Sequence, residues 1–251
     1  LVRDRRAGVS SYYRFNGELA PKENAFLHAL KEAVDDALLF EDERRLPGIL
    51  AKRARAEGWA DTVAGDMERH YSPGRTWETL ARAMSQLVDP GDVLDIASGD
   101  GVLAELLAPR ARSIVCIDAS PRVVAAARER LKSFANVEVV SGDMHALDLG
   151  RKRFDLVLLM HALTYSEQPA SVVSEAARVL AKGGHLLAAT LGRHAHRTAV
   201  EPFDHRNLGF TPAELAGFAS QAGLEVLSCK RITREVKAPH FEVISLLARK
   251  S

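Results

Sequence analysis

The stretch "VLDIASGDGVLAELL", residues 93–107, constrains the fold of this chain more than any other. A short run of branched apolar residues reads as a strand, a glycine-containing break follows, and Val102 to Leu107 resumes at helical spacing. A strand that enters a helix through a tight turn opens a βα unit, and repeated units of this kind imply a parallel sheet covered on both faces. The pattern does repeat. Ser113 to Ile117, Val137 to Val140, Phe154 to Leu159 and His185 to Thr190 read as strands, with helices over Pro121 to Phe134 and Ala170 to Leu180. Thr211 to Ala222 is expected as a further helix. Val226 to Arg231 and Phe241 to Ala248 are expected as strands joined too closely for a crossover helix, so they should pair antiparallel.

The N-terminal third has another texture. "LVRDRRAGVSSYYRF" reads as a basic hairpin, with Arg3, Arg5, Arg6 and Arg14 set against Asp4. Apolar residues then recur at helical spacing from Glu23 to Leu39. A second helix is expected after Pro47, and a third from Ser72 and Pro73, an N-cap followed by a first-turn proline. In that third helix Trp77, Leu80, Met84 and Leu87 form one stripe with the character of a core face. Asp89, Pro90 and Gly91 break the pattern. The expected divisions are therefore residues 1–15 (hairpin), 16–90 (helical segment) and 91–251 (α/β domain).

The formal charge of +1 rules out a global field that would draw the chain to nucleic acid or membrane, so any such attraction is local. No apolar run approaches the length of a membrane span, and no secretory signal is recognised. Cys116 and Cys229 lie far apart in apolar runs and are expected reduced. Reduced cysteines fit the cytoplasm, which is the expected location.

The chemistry should sit at the carboxyl ends of the strands, where open α/β sheets bind ligands. Gly99 and Gly101 allow a sharp turn and close approach of a ligand to the backbone. With Ala104 they also fit the dinucleotide fingerprint, which keeps a nicotinamide or flavin open. The acids argue otherwise. Asp95, at the end of its strand, would repel a pyrophosphate but suits a ligand carrying an ammonium and a sulfonium. Asp118 closes the next strand, where a carboxylate can accept ribose hydroxyls. "SGDM", residues 141–144, puts Asp143 at the same edge, placed to accept an adenine amino group.

On these motifs residues 92–251 resemble class I S-adenosylmethionine-dependent methyltransferases. The resemblance implies a Rossmann-like α/β fold, mostly parallel with an antiparallel last strand, and S-adenosylmethionine as cofactor. It maps the family's acidic glycine-rich signature onto Asp95, Ala97, Gly99 and Gly101. The ribose acid falls on Asp118, with Ala119 beside it, and the adenine acid on Asp143, with Met144 beside it. "FDLVLLMHALTY", residues 154–165, corresponds to the segment after the fourth strand and puts Met160 at the cofactor edge. Ala97 departs from the family by replacing its first glycine. A shifted contact is expected there, since alanine forbids little unless φ is positive. Tyr71 and Arg75, in "HYSPGRTWETL", are placed to cover the cofactor and engage its carboxylate.

The acceptor side offers His161, His194 and His196 as candidate general bases. The last two lie in "LGRHAHRTAVEPFDHRNLGF", residues 191–210, a loop expected to overhang the site as a polar lid. Asp204 and His205 nearby raise a metal reading, but a clear fourth ligand is lacking and no metal site is assigned. The implied activity is methyl transfer to a small-molecule acceptor.

The hairpin resembles the wing of an arsenic-repressor-type (ArsR-type) winged-helix module, and Glu23 to Leu39 falls where those repressors place a dimerising helix. Fusions of such a module to a class I methyltransferase imply a homodimeric regulator whose longer native chain binds DNA. Two functions follow from the resemblance, an enzyme or a non-catalytic sensor of S-adenosylmethionine and S-adenosylhomocysteine.

Overall fold

The computed structural model describes residues 2–7, 10–15, 20–33, 37–54 and 76–251. The chain divides into two compact units, residues 1–72 and 73–251. In the first, β1 (Val2–Ala7) and β2 (Ser10–Phe15) pair antiparallel with Arg3 opposite Arg14 and Arg5 opposite Tyr12, the hairpin expected from the sequence. Helix α1 spans Pro21–Ala33, and α2 spans Ala37–Ala54. The helix expected to follow Pro47 instead contains it: α2 runs through Pro47 from a start ten residues earlier. Proline removes one amide donor and strains one turn, but the turns on either side retain their own bonds.

The second unit begins with α3 (Trp77–Ser85), capped by Thr76, whose hydroxyl accepts from the Thr79 amide at 3.1 Å. Ser72 and Pro73, where the sequence suggests its start, lie outside the described residues. The stripe on α3 is not core. Trp77 is 83% exposed, and Leu80, Met84 and Leu87 are exposed with it.

The sheet follows. Its strands are β3 (Asp92–Ile96), β4 (Ser113–Asp118), β5 (Val137–Ser141), β6 (Phe154–Met160), β7 (Leu180–Leu191), β8 (Leu224–Arg234) and β9 (Glu242–Lys250). They lie in the order β5-β4-β3-β6-β7-β9-β8. β5 through β7 are parallel, and β9 runs antiparallel to both of its neighbours. β7 begins earlier than expected, at Leu180, because Lys182, Gly183 and Gly184 remain in the strand.

Alternation along the strands sorts the side chains into two cores. Leu94, Ile96, Val115, Ile117, Val157 and Leu159 face α6 (Pro169–Val179) and α8 (Pro212–Gln221), which the one-turn α7 (Arg197–Val200) separates in sequence. Val93, Ile114, Cys116 and Leu158 face α4 (Val102–Leu107) and α5 (Pro121–Leu131). Each buried leucine here contributes about 1.5–3 kcal/mol relative to exposure. Helix starts follow sequence rules: α8 opens on a capping box, in which Thr211 and Glu214 satisfy each other's amides, with Pro212 in the first turn. Asp155 lies at the opposite, amino-terminal edge, accepting the Asp92 amide at 2.9 Å. Its work is structural.

Candidate functional site

The glycine turn after β3 is built on left-handed backbone. Ala97, Gly99 and Gly101 have φ of +54°, +58° and +83°. Gly101 caps α4, and a Cβ there would meet Leu131 Cδ1 at 2.6 Å. At Gly99 a Cβ would meet nothing within 4 Å, so the requirement is conformational and the space above the turn stays open. The condition under which Ala97 matters is therefore met: it holds a conformation that costs a non-glycine residue about 1–2 kcal/mol. Arg130 braces the turn from α5, donating to Asp100 at 2.8 Å and Glu105 at 3.0 Å.

Three acids stand along adjacent strands. Asp95 is 2% exposed, and burial, reinforced by the Asp118 charge, pushes its carboxyl up to about 7. Asp118, at the end of β4, accepts the Gly99 amide on Oδ2 (3.1 Å) and the Ser120 amide on Oδ1 (2.9 Å). It thereby ties the glycine turn to the start of α5. Ser141 pairs with Asp118 in register, which carries Asp143 to the neighbouring position. The His145 amide and ring hold the Asp143 carboxyl below the usual carboxylate range. Ala119 and Met144 follow their acids on the same edge, and Met160 ends β6 two strands away. Tyr71 and Arg75 lie outside the described residues. A cavity of about 610 Å³ flanks the turn, lined by Trp77, Arg82, Ser98, Asp100 and Val102.

Beyond β6 and β7 the character changes. His161 has φ +57° and donates its amide to Ala189 O at 2.7 Å. The loop after β7 folds back on the sheet: Gly192 bridges to Phe210, the His194 amide donates to Leu208 O, and Asn207 donates to Leu163 O and Ser166 O. This brings His194 within 4.7 Å of Phe241, ring centre to ring centre, and His205 within 5.0 Å of Tyr165. Desolvation lowers the pKa of His161, His194 and His205; repulsion from His196 and His205 adds to the shift at His194, repulsion from His161 adds to it at His205, and the Glu235 charge partly offsets it at His161. The three rings are held neutral. His194 Nδ1 accepts the His196 amide at 3.2 Å, so its Nε2 carries the proton. That Nε2 and His205 Nδ1 are buried with no partner among the described residues. Also among the described residues, no group of three or more His, Cys, Asp and Glu is arranged to hold a metal.

The sequence-derived candidates thus fall into two groups, an acid edge and a histidine edge. From the sequence His205 stands out only as a neighbour of the metal reading, and neither Phe241 nor His145 stands out as a site residue. His145 had a local signal, its spacing of two from Asp143; Phe241 had none, because it arrives from the far end of the domain.

Residues 94–188 match the family model described as "Methyltransferase domain". A demethylmenaquinone methyltransferase of Tropheryma whipplei is 30% identical over 57% of this chain and 59% of its own length. A ubiquinone biosynthesis O-methyltransferase of Thiobacillus denitrificans is 34% identical over 53% of this chain and 64% of its own. The chain therefore spans less than two thirds of either relative. Among solved structures, the N-methyltransferase NodS of Bradyrhizobium japonicum, in complex with S-adenosyl-L-homocysteine, superposes with a TM-score of 0.55 at 18% identity. That match covers 81% of this chain and 97% of NodS. The fold is the Rossmann-like one of class I methyltransferases, with its single reversed strand.

Proposed function

We propose that this chain is an S-adenosylmethionine-dependent methyltransferase acting on a small molecule held against the histidine edge. One observation carries the reading: Asp95, Asp118 and Asp143 stand in order at three adjacent strand ends around an open glycine turn. The donor set fits the cofactor. An almost fully buried Asp95 with a raised pKa is a site that gains from a cation and loses from a pyrophosphate. Asp118 keeps lone pairs for the ribose beyond its two amide contacts, and Asp143 can accept from the adenine amino group.

When bound, the cofactor supplies an electrophilic methyl on a sulfonium. The chain's part is alignment and proton removal. Asp95 anchors the cationic end, the glycine turn admits it close to the backbone, and Met160 and His161 form the floor toward the acceptor. His161, His194 or His196 takes the proton of an acceptor hydroxyl; neutrality at pH 7 equips His161 and His194 for that step. Phe241 beside His194 and His196, and Tyr165 beside His205, suit a flat hydroxylated ring, in keeping with the quinone-pathway names of the relatives.

Calorimetry with S-adenosylhomocysteine tests the cofactor. Asp118→Ala should weaken binding by about 1.5–3 kcal/mol, the scale of hydrogen bonds to a charged group. Tight NAD binding with no S-adenosylhomocysteine heat overturns the reading. Turnover of labelled S-adenosylmethionine separates enzyme from sensor.

The N-terminal unit supports a further part of the reading, that the native protein is a dimeric ArsR-type regulator fused to this domain. Its support is the paired β1–β2 hairpin bearing the arginine-rich sequence, a composition suited to phosphate contact. A chain that carries the whole winged-helix module should bind a palindromic DNA site with strong salt dependence; salt-insensitive binding, or none, overturns it. The two free cysteines support a cytoplasmic setting.

A further inference from the structure

Asp143 is held by a chain of side chains that the proposed reaction does not use. Its Oδ1 accepts from the His145 amide at 2.9 Å, and the His145 ring Nδ1 lies 2.8 Å from the same oxygen. His145 Nε2 lies 2.8 Å from Ser166 Oγ, which also accepts the Gln168 amide at 2.9 Å. The partners fix the proton positions. An ionised carboxylate only accepts, so Nδ1 carries the hydrogen; Nε2 then accepts from the Ser166 hydroxyl, one of whose two acceptor lone pairs is taken by the Gln168 amide. The order Ser, His, Asp invites comparison with a hydrolytic triad. Ser166, however, is 1% exposed and its hydroxyl is engaged on both sides, which leaves no room for attack on a substrate.

The consequence lies at the other end of the chain. Oδ1 is consumed by two donors, while Oδ2 has no partner among the described residues. The Asp143 side chain is itself largely exposed, so without the ring it would be free to turn. The loop is held at its far end too: Leu147 donates its amide to Glu175 Oε2 (2.9 Å), and Arg178 donates to Leu147 O (2.8 Å), both from α6.

We propose that His145 is a positioning residue that consumes one oxygen of Asp143 and aims the other at the 6-amino group of adenine. This rests on the cofactor reading above. A fixed acceptor favours an amino group and repels the oxygen of a 6-oxo purine, so the device selects the base as well as adding affinity.

The test is calorimetric titration of wild type, His145→Ala, His145→Asn and Ser166→Ala with S-adenosylhomocysteine and with its 6-oxo counterpart, S-inosylhomocysteine. Wild type should prefer the 6-amino form. His145→Ala should shrink that preference about fivefold, the scale of one hydrogen bond. His145→Asn, which keeps a donor near the Nδ1 position, should restore most of it, and Ser166→Ala should shrink it less than His145→Ala. Thermal melts identify any variant that fails to fold, and the Asn variant then carries the comparison against wild type. Tight wild-type binding with an unchanged preference in folded His145→Ala overturns this inference alone. Failure of wild type to bind S-adenosylhomocysteine overturns the cofactor reading and this inference with it.

Discussion

At the ends of β3, β4 and β5 each acid sits on its strand or just beyond it, and the backbone between them is fixed by left-handed residues and amide contacts to Asp118. Beyond β6 and β7 the side chains that meet come from distant stretches: His161, His194, His205 and Phe241. The first edge is made of local geometry, and little in it can vary. The second is made of a folded-back loop, and its rings can change without disturbing the glycine turn. A fold that divides its labour this way can keep one cofactor while accepting different substrates.

That contrast can be broken most forcefully at the turn. Gly101→Val adds a Cβ where Leu131 Cδ1 lies 2.6 Å away, at φ +83°. Backbone strain of about 1–2 kcal/mol and overpacking of about 1–3 kcal/mol should together lower stability by about 2–5 kcal/mol. A thermal melt checks this; a wild-type melting temperature would mean that the turn is not the rigid element described.

On the opposite edge, His194→Ala and His196→Ala should leave stability and S-adenosylhomocysteine affinity near wild type while lowering turnover. Whichever histidine takes the proton should cost about a hundredfold in kcat when removed. Because His161 and His194 have lowered pKa values, the acid limb of the rate profile should fall below the ordinary histidine value of about 6.5. Loss of cofactor binding in both folded variants would place the loop on the cofactor edge and erase the distinction between the edges.

Asp95 sharpens the comparison through pH. Its folded pKa, about 7, is raised above the unfolded value of about 3.9, so the native state holds the extra proton. The stability it contributes is fully present below about pH 3.9 and is lost as pH rises through about 7. A cationic ligand favours the ionised form, so binding should release a proton and tighten with pH up to about 7, by at most about tenfold per pH unit. Calorimetry at pH 6 in buffers of different ionisation heat reads the proton directly. Zero release would mean that Asp95 does not face the cation.

The smallest effect is expected at Ala97. Glycine relieves about 1–2 kcal/mol of left-handed strain and costs about 0.5–1 kcal/mol of chain entropy, for a net gain of about 0–1.5 kcal/mol. Ala97→Gly should therefore melt slightly higher than wild type. A lower melting temperature would show that the methyl makes a packing contact worth more than the strain.

The sequence discloses these edges unequally. Strand order, the glycine turn and the three acids are legible because each motif is contiguous and its chemistry is carried by residue type. Ala97's positive φ is not, since nothing in an alanine announces its conformation. The exposed stripe on α3 misleads because periodicity tells which residues share a face, but not whether anything covers that face; Pro47 misleads because a proline marks a helix start only where no earlier turn has formed. On the histidine edge the partners are set by how the loop folds back, and no spacing encodes the meeting of His194 with Phe241.

The reversed strand has a consequence for assembly. β8 is made before β9 yet pairs with the rest of the sheet only through it, because β9 occupies the place between β7 and β8. During synthesis β8 must wait, unpaired, until β9 has left the ribosome, whereas β3 to β7 already possess all their mutual neighbours. Phe241 comes with β9. The acid edge can therefore be in place while the aromatic ring that meets His194 is still to be translated.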